Sequence, residues 1–67
     1  MIAISVNGET SQIASETTVA QLLQQLGYAG KRVAVERNGE IVPKSRHEQA
    51  RIAAGDRLEI VVAVGGG

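Results

Sequence analysis

Apolar and polar positions alternate from the start of the chain: Ile2, Ile4 and Val6 are interleaved with Ala3 and Ser5. That is the period of a strand with one buried face. Asn7-Gly8 follows, the pair that best accepts the positive φ angles of a type I′ turn, so a hairpin is predicted. Its return strand is mostly polar, with Ile13 the one large apolar side chain, and is expected at a sheet edge. The period then changes. Val19, Leu22, Leu23 and Leu26 fall at i, i+3, i+4 and i+7, one apolar stripe on a helix. Thr18 with Gln21 fits a capping box at its start, and Gly27 stands where a C′ glycine would end it. A helix this short is not stable alone, so its stripe must lie on a sheet.

A second strand-turn-strand follows, with Val33 and Val35 on one face and Asn38-Gly39 turning the chain. Pro43 cannot donate to a ladder, which makes Ile41-Val42 a short edge piece. "KSRHEQARIAAGD" is polar and irregular, with room for a helical turn, and ends at a Gly55-Asp56 turn. The last strand, "RLEIVVAV", becomes apolar on both faces, the mark of a central strand. The first and last strands are then expected side by side and parallel in the middle, with the helix across one face. Right-handed crossover leaves the ubiquitin-like β-grasp as the simplest solution. The predicted fold class is therefore α+β, a mixed sheet of four to five strands with one helix. Residues 1–64 form the domain and residues 65–67 a flexible glycine tail. Leu58, Ile60 and Val62 are expected to face the helix with Ile4, Val6, Val33 and Val35. Glu59, Val61 and Ala63 are expected on the open side, beside Ala3 and Ala34.

Composition narrows the function classes. The 67 residues allow one domain, and a domain of this size buries only about 60% of its unfolded-chain surface. Tyr28 is the only aromatic and there is no cysteine, so the core is aliphatic and no thiol is available for redox work or for carrying sulfur. Seven basic residues balance seven acidic ones, with the signs interspersed. No basic footprint or stacking platform for nucleic acid results. The longest apolar run, Ile60 to Val64, is far too short to span a membrane. The first residues lack a basic stretch followed by an apolar one, so no signal peptide is expected and a cytoplasmic location is.

Side-chain chemistry is sparse. His47, the only histidine, stands in a polar stretch and reads as a solvated surface residue. Ser45 has no strand-turn-helix elbow around it and no acidic partner. Glu9, Glu16, Glu36, Glu40, Glu48, Asp56 and Glu59 are scattered and read as solvated charge, with no metal site among them. The ending differs. Gly65-Gly66-Gly67 follows directly on a central strand, and three extended residues reach about 10 Å. Without a Cβ, glycine lets the walls of a channel close on the backbone from all sides. A frayed end or a cloning remnant would look the same as a triple glycine alone. Joined to a ubiquitin-like order of elements and a body empty of catalytic groups, it reads as a reactive tail. Its carboxylate can attack the α-phosphate of ATP once a partner positions both.

The chain resembles the ThiS family, the bacterial sulfur carriers of thiamine biosynthesis, over essentially its whole length. The matching stretches are "ISVNGE", "TVAQLLQQLG", "VAVERNGEIVPKS", "AAGDRLEIV" and the glycine terminus. The resemblance implies that Gly67 is adenylated by an E1-like adenylyltransferase of the ThiF type using Mg-ATP, and then converted to a thiocarboxylate. A sulfur donor system supplies the sulfur, which passes to the thiazole ring at a thiazole synthase of the ThiG type. Gly66 carries over as the other half of the terminal pair, and Gly65 is an extra glycine. Val64, Ala63 and Val61 complete the expected partner-binding set. The chain itself is expected to bind no cofactor and to act as a co-substrate, not an enzyme. The small subunit of molybdopterin synthase shares the fold and the thiocarboxylate. That family is usually longer and often has prolines before its final glycines, whereas this chain has only Pro43. Other ubiquitin-like sulfur carriers, such as those of cysteine biosynthesis, a plain interaction module docking through Val61, Ala63 and the open sheet face, and a modifier conjugated to lysines are the remaining readings.

Overall fold

The structure is a computed structural model and describes residues 1–63. Five strands and one helix follow the expected order: β1 Ile2–Val6, β2 Glu9–Ile13, α1 Val19–Gln25, β3 Val33–Arg37, β4 Glu40–Ile41 and β5 Arg57–Val62, with a 3₁₀ turn at Lys44–Arg46 before β5. The sheet order is β2-β1-β5-β3-β4, so β5 is central and the two polar or short strands are the edges. β5 runs parallel to β1, pairing Ser5 with Arg57 and Val6 with Leu58. It runs antiparallel to β3, from Val33 opposite Val62 to Arg37 opposite Leu58. This is the mixed sheet of a ubiquitin-like β-grasp.

Both hairpins turn on an Asn-Gly pair with φ positive at each residue, 51° and 85° at Asn7-Gly8 and 53° and 86° at Asn38-Gly39. Those angles match the right-handed twist of the flanking strands. α1 begins with the full capping box. The Thr18 hydroxyl accepts from the Gln21 amide at 3.1 Å, and the Gln21 side chain accepts from the Thr18 amide at 3.0 Å. Thr18→Ala removes half of that exchange and is expected to cost about 1 kcal/mol in urea unfolding. A loss within error of zero would mean that the backbone contacts around the cap suffice.

Those contacts come from the segment after β4. The amides of Val19 and Ala20, orphaned at the helix start, donate to the carbonyls of Ala50 and His47. Ile52 donates in turn to Thr17 and buries its side chain in the core. The core is wholly aliphatic: Ile4, Ile13, Val19, Leu22, Leu23, Val35, Ile52, Leu58 and Ile60.

Three expectations fail here. Leu26 is exposed, because the helix stops one residue before it. Gly27 donates to Gln24 and Tyr28 to Leu23, a Schellman turn that brings Tyr28, not Leu26, against the core. His47 is buried, not solvated; its Nε2 lies 3.0 Å from the Val42 carbonyl, which can only accept, so Nε2 carries the hydrogen. Asp56 is buried too. One oxygen accepts from the Ala53 amide at 2.8 Å, the other from Asn38 Nδ2 at 3.1 Å, and Arg37 Nε stands 3.5 Å away. A buried polar side chain persists where it is paired, and both of these are.

Candidate functional site: the end of the central strand

Everything the sequence marks as reactive lies at or beyond the end of β5. Along β5 the backbone bonds alternate between its two neighbours. Towards β3, Arg57 accepts from the Asn38 amide and Ala63 donates to Arg32 at 2.9 Å. Towards β1, the carbonyls of Asp56 and Leu58 accept from Ser5 and Asn7. β1 ends there, but the Asn7 side chain continues its edge. Asn7 Oδ1 accepts from the Ile60 amide at 2.7 Å, and Asn7 Nδ2 donates to the Ile60 carbonyl at 3.2 Å. The strand is thus held on both edges to Ile60, and on the β3 edge alone to Ala63.

Side chains sort by face as expected. Leu58 and Ile60 are buried under the helix, while Val61 is 63% exposed on the open face, opposite Ala34. Ala63, Ala3 and Ala34 are also exposed there. Ile41, 63% exposed, adds a second large aliphatic to that face, since it pairs with Glu36, which in turn pairs with Glu59. The sequence marks Ile41 only as part of a short edge piece and carries no signal for its face without the β3–β4 register. Gly65, Gly66, Gly67 and Val64, and with them the proposed boundary at residue 64, lie outside the described residues.

On the helix side a groove borders the same end of the strand. Tyr28, Lys31, Arg32, Lys44, His47 and Glu48 are among the residues lining it. The histidine in that lining, His47, has its Nε2 on the Val42 carbonyl. Among the described residues, no three histidine, aspartate or glutamate side chains gather as a metal site. No helix of the described residues is long and apolar enough to cross a membrane.

A five-stranded mixed sheet with one helix, its central strand followed in sequence by Ala63, Val64 and three glycines, defines a ubiquitin-like β-grasp protein. The family model described as the ThiS family matches residues 4–67. The sulfur carrier protein ThiS of Bacillus subtilis is 37% identical over 65 residues, covering 96% of this chain and 98% of that one. The crystal structure of a thiamine biosynthesis protein (ThiS) from Geobacter metallireducens superposes with a TM-score of 0.84 at 32% identity, covering 98% of this chain and all of the other. A thiazole synthase of Paramagnetospirillum magneticum is 50% identical over 62 residues, which cover 92% of this chain and 19% of that protein. The chain thus spans about one fifth of that relative's length. The chain belongs to the ThiS family.

Proposed function

We propose that this protein is a sulfur carrier for thiamine biosynthesis, with the Gly67 carboxylate as its reactive group. The observation that carries the reading is the match of the family model to the last residue, through Val64 and all three glycines, beyond the end of the central strand. In the first step a carboxylate oxygen of Gly67 attacks the α-phosphate of Mg-ATP held by a ThiF-type adenylyltransferase. One P–O bond forms, another breaks, and pyrophosphate leaves. A sulfide equivalent then attacks the acyl carbon and expels AMP, leaving a thiocarboxylate. In this reading both steps are carried out by partners, and the chain is a co-substrate. It binds no cofactor of its own in this reading.

The recipient is a ThiG-type thiazole synthase. Support comes from the thiazole synthase that contains a stretch 50% identical to this chain, since two functions joined in one polypeptide commonly act on each other's products. Val61 and Ala63, exposed beside the exit of the strand, are the side chains a partner meets first. The cytoplasm, where ATP and the activating enzyme would be, is the expected location.

Incubation with the activating enzyme, Mg-ATP and a sulfur source, followed by intact mass, is expected to show one oxygen replaced by sulfur at Gly67. No exchange, under conditions that convert an established carrier, would remove the proposal.

A further inference from the structure

We infer that Asn7 is a positioning residue for the carrier tail: its side chain stands in for one more residue of β1 and fixes the direction in which β5 leaves the body. The inference rests on the carrier reading and adds to it a residue at the far end of the sequence. Asn7 and Ile60 are 53 positions apart, yet the carboxamide makes both bonds that a neighbouring strand would make there, 2.7 Å to the Ile60 amide and 3.2 Å to its carbonyl. Among the described residues nothing on that side holds β5 beyond Ile60; the later contacts of the strand are with β3 on the other edge, through the ladder opposite Ala34 and Val33 and the bond from Ala63 to Arg32. A strand end held on one edge can hinge about that edge. With both edges held at Ile60, only the three described residues after it depend on the β3 edge alone, and the direction of β5 up to that point is fixed. A tail that must enter a narrow site is sensitive to this, because small errors of placement cost large factors in rate.

Asn38 provides a matched control. It occupies the same position in the other Asn-Gly turn, with nearly the same φ. Its side chain also makes two bonds near β5, accepting from the Arg57 amide at 2.9 Å and donating to Asp56 Oδ1 at 3.1 Å. Those bonds fasten the beginning of β5, at the opposite end from the tail. Asn7→Gly and Asn38→Gly therefore both keep a turn that glycine accepts and both lose two hydrogen bonds. A purely structural role for Asn7 makes the two variants alike.

Two measurements separate the roles. With the activating enzyme and Mg-ATP, kcat/KM for pyrophosphate release is expected to fall about tenfold in Asn7→Gly and to stay within about twofold in Asn38→Gly. Asn7→Asp, which keeps an acceptor for the Ile60 amide, is expected to recover part of the loss. Amide hydrogen exchange at Ile60 and Ala63 is expected to speed up by about tenfold or more in Asn7→Gly alone. Equal losses in the two glycine variants, or unchanged exchange at Ile60 and Ala63, would overturn the inference. Should the unmodified chain release no pyrophosphate while a control carrier does, the carrier reading falls, and the exchange measurement by itself still decides whether Asn7 anchors the strand.

Discussion

Leu58→Ala is expected to leave a large fraction of the molecules unfolded at room temperature. Leu58 has no solvent exposure and sits on the central strand, opposite Val6 on one side and Arg37 on the other. Truncating a fully buried leucine costs about 2–5 kcal/mol, towards the upper end where the surroundings cannot collapse into the gap. Collapse is difficult here because both flanking strands are fixed by their ladders and the helix above is held by the segment around Ala50 and Ile52. A chain of 67 residues has a total stability of roughly 3–10 kcal/mol at the usual value per residue, and this one has no disulfide to supplement it. The loss is then comparable with the whole. Urea unfolding followed by circular dichroism measures it, with Val61→Ala as the exposed counterpart, expected within about 0.5 kcal/mol of the parent. A cost below about 1 kcal/mol for Leu58→Ala would mean that the packing under the helix is looser than the structure has it.

Moving the terminal carboxylate is expected to have the opposite profile: full loss of sulfur loading with no loss of fold. One residue added after Gly67 turns its carboxylate into an amide and carries the new carboxylate about 3.5 Å further out. Deleting Gly67 draws it back by as much. Displacements of that size exceed what an aligned attack on the α-phosphate tolerates, so a fall of at least about a hundredfold in thiocarboxylate formation is expected for each. The midpoint of thermal unfolding is expected to stay within a degree or two, because the described core and strand ladders keep all their residues. If either variant loads normally, the reactive group is not the terminus. If either unfolds, the glycines are structural.

The local rules that made the architecture readable are those whose partners are close in sequence. Asn7-Gly8 and Asn38-Gly39 announce their turns because few other pairs take two positive φ angles in succession. Thr18 and Gln21 satisfy each other three residues apart. The stripe of Val19, Leu22 and Leu23 and the two-sided apolar end of β5 then leave little choice of layer. What could not be read depends on partners far away. The burial of Asp56 requires Asn38 and Arg37 to arrive from another hairpin, and that of His47 requires the Val42 carbonyl to turn inward. Both side chains look like surface residues because polarity, taken alone, carries no record of pairing. Leu26 errs the other way, an apolar residue on the right period but one step past the last helical turn. The second duty of Asn7 is invisible for the same reason: its turn is written in the sequence, but the strand it clamps is brought alongside only by the crossover. At the reactive end, the glycines were legible as chemistry, and the aliphatic pair Val61 and Ile41 on the open face only partly so.

The shared direction of β1 and β5 has a practical corollary. With Ser5 level with Arg57, the first residue of the chain and Ala63 point to opposite poles, separated by roughly 30 Å at the usual rise per residue. Met1 is itself well exposed. A handle, a solid support or a whole upstream catalytic unit can therefore be tethered ahead of Met1 while the outlet at the other pole stays unobstructed.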